Sequence, residues 1–333
     1  MNDVGFVTMA DADHATGVVA LVNSLRLLGH DESFTVLDLG LTASQRRELS
    51  TECAIVAAPD HPRHPWLLAP SACLAVDAAI VVYLDCDTLV TTRLDDIFAD
   101  ARAGRVVAFA DFLADRWFAE WETAFGLEDP LRRQPYVNAG FVALSTQAHC
   151  DLLTRWSARC ARLHDESVRI TAIDFDDPCA LPDQDALNAL LMSEVPAECA
   201  VAYPASAVAQ GRDQLVATRV VDQGGLRCER DGTRVRLLHA FGTPKPWQRA
   251  ASRDLPRDAY LKLLRRCLAG PDLAIRTTEP LVPWLRPGAM GALTFRAATV
   301  WDACRGRTRG LRRRVGLVSR RSDARRPSRA GGS

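Results

Sequence analysis

The stretch Ile80-Val81-Val82-Tyr83-Leu84-Asp85-Cys86-Asp87 decides the fold. An apolar run of β-branched and aromatic residues ends abruptly in two aspartates with one residue between them. Such a run predicts a buried strand, central in a parallel sheet. Side chains alternate along a strand, so Asp85 and Asp87 point to one side and Cys86 to the other. Two like charges this close repel each other, and a divalent metal between them relieves the repulsion. The alternative is an acidic pair that marks only where the strand reaches water, and the motif alone leaves both open. In open α/β sheets ligands bind at the carboxyl ends of the strands, where this pair falls.

Working outward, Val4–Thr8 predicts a strand and His14–Leu28 a helix stopped at Gly29. Phe34–Leu37 is a second strand. Thr42 and Gln45 form a capping pair ahead of a helix running through Ser50. Ala54–Ala57 is a third strand, and Pro59–Pro70 a proline-rich loop. This β-α-β-α-β order predicts a parallel, right-handed, doubly wound sheet. Beyond Asp87 the pattern is mixed. Strands are expected at Val106–Ala110, Gly140–Leu144, Val216–Val221 and Val235–Leu238, and helices at Ala148–Leu163 and Asp183–Met192. From Pro256 the chain turns helical and basic. Leu281–Val300 carries Trp284, Leu285, Leu293 and Phe295, with Trp301 just beyond. It is either an amphipathic docking surface or a segment packed on the main domain.

The 333 residues are 48% hydrophobic, enough for one large α/β domain or two smaller ones. No run approaches the ~20 apolar residues of a membrane span, and no basic-then-apolar leader is visible, so a cytoplasmic protein is expected. None of the ten cysteines forms a CxxC pair, which argues against structural zinc and for reduced thiols. The net charge of zero conceals a division: Arg305 to Ser333 holds eleven arginines against Asp323 alone, a local +10. That composition predicts a disordered tail. It suits anionic lipid headgroups at the inner face of a membrane. It lacks aromatics to stack on bases, so no specific nucleic acid is expected. A solvated tail with no fixed partner is equally consistent.

Other segments carry chemistry. The loop Thr8-Met9-Ala10-Asp11-Ala12-Asp13-His14 sets Asp11 and Asp13 beside the carboxyl edge of the sheet. There they either accept hydrogen bonds from a ribose or base, or cap the following helix. Leu237-Leu238-His239-Ala240-Phe241-Gly242-Thr243-Pro244-Lys245-Pro246-Trp247 delivers His239 at a strand end. Gly242 permits close backbone approach, and Lys245 is a point charge suited to phosphate. An imidazole beside two carboxylates makes a mixed nitrogen and oxygen site that suits Mn²⁺ somewhat better than Mg²⁺.

Taken in order, these motifs resemble the family 8 glycosyltransferases, retaining enzymes of GT-A fold that use nucleotide-sugar donors. The resemblance rests on Ala10–Asp13, Tyr83–Asp87, Tyr136-Val137-Asn138-Ala139-Gly140, Pro182–Asn188 and His239–Trp247, and spans roughly residues 4–250. It implies a Rossmann-like mixed sheet flanked by helices over residues 1–255; outside the resemblance, composition predicts a helical basic extension over 256–304 and the tail over 305–333. It also implies that Asp85, Asp87 and His239 ligate a divalent metal. Asp11 and Asp13 would contact the nucleoside, and Gly242 and Lys245 the diphosphate. Cys86 falls within the donor-binding motif. Asn138 and the Ala139 backbone would line the donor sugar, and Asp183 and Gln184 would lie beside the reacting carbon. The implied donor is a UDP-hexose of glucose or galactose type, and the acceptor a hydroxyl of a saccharide, lipid-linked or natural-product molecule.

One departure stands out. Family members often carry an Arg before the acidic strand, where this chain reads His64-Pro65-Trp66-Leu67-Leu68-Ala69-Pro70 after Arg63. Either Arg63 or another cation substitutes, or the donor sugar is handled differently. Two other readings compete: a catalytically silent sugar-nucleotide-binding protein, and a phosphatase of haloacid dehalogenase type. The second places Thr two residues after the second Asp, a position held here by Leu89. Acceptor choice belongs to variable loops. Asp111–Pro135, with Trp117, Phe118, Trp121 and Phe125, is either an acceptor lid or core.

Overall fold

The computed structural model describes residues 2–59, 64–163, 174–249 and 257–297. Arg63, Trp301 and the arginine-rich tail lie outside these residues. The main sheet begins with β1 (Asn2–Ala10), followed by α1 (Ala15–Leu27), β2 (Ser33–Asp38), α2 (Ala43–Leu49) and β3 (Ala54–Ala57). A 3₁₀ turn at Pro65–Leu68 leads into α3 (Ala69–Leu74) and then β4 (Ala78–Leu84), β5 (Thr88–Val90), α4 (Asp95–Arg102) and β6 (Val106–Ala110). Next come α5 (Trp121–Phe125), β7 (Val137–Ser145), α6 (Cys150–Ala161), α7 (Pro182–Ser193) and β8 (Ala200–Tyr203). The chain continues through β9 (Val208–Gln210), α8 (Gly211–Ala217), β10 (Arg219–Asp222), β11 (Arg227–Arg230), β12 (Thr233–Val235), β13 (Leu237–His239) and α9 (Ala259–Ala269).

Seven strands pair in the order β3-β2-β1-β4-β7-β6-β8. β1 pairs in parallel with β2 and β4, and β2 with β3, as the opening β-α-β-α-β pattern requires. Beyond β4 the sheet turns mixed: β7 runs antiparallel to both β4 and β6. A strand buried on both faces reads as a continuous apolar run in either direction, so hydrophobicity carries no polarity. The result is the mixed sheet that the family resemblance implies.

Alternation along the strands divides the core between two faces. Phe6, Ile80, Val82 and Leu84 join the layer of α1, α4 and α9. Val7, Val81 and Tyr83 join the layer of α3, α5, α6 and α7. Fully burying such side chains contributes about 1.5–3 kcal/mol each. α2 opens with the expected capping box: Gln45 N–H donates to Thr42 Oγ1 and Thr42 N–H to Gln45 Oε1. Gln45 Nε2 also donates to the Ala12 carbonyl, which pins the loop after β1.

Three local expectations change. The Pro59–Pro70 loop contains a 3₁₀ turn and the start of α3, where Pro70 falls in the first turn and its missing N–H breaks no helical bond. Val216 belongs to α8, because the strand starts only at Arg219. The Val235–Leu238 run divides at Arg236, whose N–H donates to the Ala207 carbonyl and whose carbonyl accepts Thr91 N–H. The α9 face of Ala259, Leu263, Leu264 and Cys267 packs into the α1 layer. Asn23 of α1 secures it: Nδ2 donates to the Cys267 and Ile275 carbonyls, and Oδ1 accepts Ile275 N–H. Trp284 and Leu285 are buried there too, while Leu293 is exposed. Among the described residues no helix is long and apolar enough to cross a membrane.

Candidate active site

The site forms at the carboxyl ends of β1 and β4. Tyr83 is buried on the α7 side of the sheet, and its hydroxyl donates to Asp85 Oδ1 at 2.9 Å. Asp85 N–H donates to the Gly140 carbonyl, which fixes the acidic turn against β7. After that turn β5 begins, and its antiparallel pairing with β13 puts His239 opposite Thr88. Ala240 N–H donates to the Asp87 carbonyl. This small sheet, and not the large one, brings His239 to the carboxylates. His239 Nε2 lies 3.1 Å from Asp87 Oδ1 and 3.4 Å from Asp85 Oδ2. One ligand atom from each of Asp85, Asp87 and His239 lies within 4.8 Å of the others. Two hard carboxylates and one imidazole at that spacing fit a divalent cation.

Lys245 completes the cluster, with Nζ 2.5 Å from Asp87 Oδ2. Burial acts to raise the Asp87 carboxyl, but the His239 and Lys245 charges outweigh it and hold it below the ordinary carboxylate range. Burial acts to lower His239, and the charges of Asp87 and Asp85 reverse that and raise it. Asp85 is raised, first by burial, with the His239 charge opposing and the Asp87 charge adding. Cys86 faces away, packed against the α1 layer, and burial holds its thiol well above the ordinary value.

Two glycines make the approach possible. A Cβ on Gly140 would lie 2.5 Å from Asp85 Oδ2, 2.8 Å from Asn138 Oδ1 and 3.1 Å from His239 Cε1. A Cβ on Gly17 would lie 2.5 Å from both the Cys86 carbonyl oxygen and the Trp247 ring. Trp247 is held there by its Nε1, which donates to the Asp13 carbonyl. Gly242 adopts φ +89, a left-handed conformation that L side chains seldom take.

The remaining sequence candidates are distributed around this centre. Asp11 Oδ1 accepts Asp13 N–H, His14 N–H and His14 Nδ1, so it orders the turn into α1. Asp13 is exposed. Asn138 Oδ1 accepts Gly140 N–H, and its Nδ2 donates to Asp111 Oδ2 at 2.8 Å. Asp183 and Gln184 open α7. Gln184 Oε1 accepts Ala139 N–H at 3.0 Å, tying α7 to β7. Burial, then the Asp85 charge, pushes the Asp183 carboxyl up to about 8. Asp111 and Gly17 carry no sequence signal of a site, and Tyr83 and Gly140 stand only at the ends of motifs, although a lone glycine inside a strand signals close approach. In the Asp111–Pro135 segment Trp121 and Phe125 are fully buried and Trp117 and Phe118 pack on the α7-side core, so these aromatics are core.

No protein-family model matches the chain. No curated protein sequence matches it either. Among solved structures, it is similar to the galactosyltransferase LgtC in complex with donor and acceptor sugar analogs, with TM-score 0.51 and 18% identity over 83% of this chain and 97% of that one. It also matches the bifunctional glycosyltransferase WbbM, with TM-score 0.48 and 13% identity over 81% of this chain and 50% of that one. A third match is the glycosyltransferase GlyE of Streptococcus pneumoniae TIGR4, with TM-score 0.47 and 15% identity over 74% and 56%. The likeness to LgtC establishes the fold, which is that of the GT-A glycosyltransferases.

Proposed function

We propose that this chain, with its GT-A glycosyltransferase fold, is a metal-dependent, retaining hexosyltransferase of the family 8 type. The observation that carries the reading is the convergence of Asp85, Asp87 and His239 with Lys245 on one of the carboxylates. The proposed donor is a UDP-sugar of glucose or galactose type, and the acceptor is a hydroxyl of a saccharide, lipid-linked or natural-product molecule. A divalent ion, Mn²⁺ by the donor set, would supply Lewis-acid charge to the departing diphosphate when bound.

The chain's own residues do the rest. Lys245 would exchange Asp87 for the diphosphate and neutralise charge as the sugar–phosphate bond breaks. Gly242 would let the backbone approach the phosphates. Asp11 and Asp13 would hold the nucleoside, with the backbones of Cys86 and Ala139 lining the donor site. Asn138, Asp183 and Gln184 would orient the sugar and face the positive charge that grows on its anomeric carbon. The acceptor oxygen attacks from the face that the diphosphate leaves: one C–O bond breaks, one forms, and the hydroxyl proton passes to the departing phosphate oxygen. No protein acid is required, because the diphosphate is a good leaving group. A covalent Asp183 intermediate is the second route, and trapping a glycosylated Asp183 would put it first. The haloacid dehalogenase reading loses support at Leu89, which is fully buried within β5. A peripheral contact of the basic tail with anionic lipid at the cytoplasmic face remains part of the proposal.

The test is UDP release from UDP-glucose and UDP-galactose, with Mn²⁺ or with EDTA, by wild type and His239→Ala. Release that needs metal and His239 supports the reading, with the configuration of the freed sugar reporting retention. Metal-independent release, equal in the variant, contradicts it.

A further inference from the structure

Outside the metal cluster lies a second ionic group, centred on Arg116, a residue that no motif announces. Arg116 and Asp185 are buried, and they pair through two bonds, Nε to Oδ1 at 2.7 Å and Nη2 to Oδ2 at 2.9 Å. The Tyr136 hydroxyl donates to Asp185 Oδ1 at 2.6 Å, and Leu181 N–H donates to Oδ2 at 2.9 Å. Arg116 also donates to the carbonyls of Phe175 and Asp177. Each oxygen of Asp185 thus accepts two bonds, and the guanidinium uses Nε and both terminal nitrogens.

This pairing is an expensive way to fill space. A buried ion pair is often no more stabilising than apolar residues of the same volume, and its best-attested use is to fix register. What it fixes here is specific. Arg116 sits in the loop after β6, Asp185 in the first turn of α7, Tyr136 at the entry to β7, and Phe175 and Asp177 in the segment before α7. Gln184, adjacent to Asp185, is the residue whose Oε1 holds Ala139 N–H. Four segments of chain on the donor-sugar side of the site therefore meet at one ion pair.

We propose that Arg116 is a positioning residue, which through its bidentate pair with Asp185 locks the first turn of α7 against β7 so that Asp183 and Gln184 face the reacting carbon. This rests on the glycosyl-transfer reading above. A lysine cannot reproduce the action, because one ammonium cannot hold two carboxylate oxygens and two carbonyls in a planar fork.

The test compares wild type, Arg116→Lys and the double variant Arg116→Met with Asp185→Asn, which removes both charges and so avoids stranding a buried carboxylate. Four quantities are read well below each melting temperature: kcat and KM for UDP-sugar hydrolysis with Mn²⁺, UDP affinity, and amide exchange at Leu181 and Ala139. The expected result is a kcat loss of about tenfold or more, a change of about threefold or less in KM and UDP affinity, and faster exchange at both amides. Exchange in β1 and β2 should be unchanged. Wild-type kcat in both variants overturns the proposal. So does a parallel fall of kcat and UDP affinity, which would mark the pair as a general folding element. If wild type turns over no UDP-sugar, the functional reading fails and the exchange measurement alone decides. Wild-type protection of Leu181 and Ala139 in both variants would then overturn the lock.

Discussion

Gly140→Ala is the sharpest perturbation the site offers. The new Cβ would arrive 2.5 Å from Asp85 Oδ2, 2.8 Å from Asn138 Oδ1 and 3.1 Å from His239 Cε1. Restoring ordinary contact requires Asp85 to retreat by about 1 Å, several times the ~0.2 Å latitude of a metal–ligand bond. The backbone cannot yield instead, because the Gly140 carbonyl accepts Asp85 N–H and Gly140 N–H donates to Asn138. Mn²⁺ affinity should therefore fall about 10- to 100-fold, equivalent to about 1.4–2.7 kcal/mol. Fold stability should fall by about 1–3 kcal/mol from overpacking. Titration calorimetry with Mn²⁺, on protein whose melting curve shows it folded, measures the first quantity. Gly224→Ala is the control, since its Cβ would meet Asp222 Oδ1 at an ordinary 3.4 Å. Wild-type Mn²⁺ affinity in Gly140→Ala would refute the assignment of Asp85 as a ligand held by close packing.

Three further outcomes are expected. Lys245→Met should move two affinities in opposite directions: free Mn²⁺ binds more tightly, because the ammonium no longer competes for Asp87 Oδ2, while UDP binds about 10- to 100-fold more weakly for want of a charged hydrogen bond; calorimetry of each ligand decides it. Asp183→Asn should stabilise the metal-free protein at high pH. The raised Asp183 carboxyl favours folding fully below its ordinary value of 3.8, and that contribution is lost as pH rises through about 8. Asp183 is half-buried as a residue, so the gain is discounted to about 2 kcal/mol at pH 9, and equal melting shifts at pH 5 and pH 9 would contradict it. Asn23→Ala should cost about 3 kcal/mol in chemical denaturation, because three buried bonds to the α9 segment are lost, with UDP affinity unchanged in protein that remains folded.

Much of this was legible in the sequence, for reasons that are local. Thr42 and Gln45 stand three residues apart, and a capping box is a three-residue geometry. The apolar run into Asp85 and the run into His239 announce strand ends, and strand ends in α/β folds are where ligands sit. Legibility stops where pairing becomes remote. Nothing near Val137–Ser145 encodes that the strand runs antiparallel, since both its faces are apolar. Arg116 and Asp185 lie 69 residues apart, and a lone Arg in a loop looks solvated until α7 folds over it. Asp11 illustrates a different limit. Its carboxylate suits either a ribose or a turn, and the structure shows it accepting from Asp13 and His14. The aromatic segment Asp111–Pro135 was ambiguous for a similar reason, because a helix of five residues is too short to show a face. Its Trp121 packs in the α7-side core, with its Nε1 satisfied by the Pro178 carbonyl.

The proposed activity requires Asp85, Asp87 and His239 to gather a metal that holds a uridine diphosphate sugar. Titration calorimetry of UDP-glucose, UDP-galactose and a GDP-sugar, each with Mn²⁺ and with chelator, on wild type and Asp87→Ala, tests it most directly. Uridine-selective binding that requires Mn²⁺ and disappears in Asp87→Ala is expected. Absence of binding by every nucleotide sugar in folded wild type, or equal binding with chelator present, would contradict it.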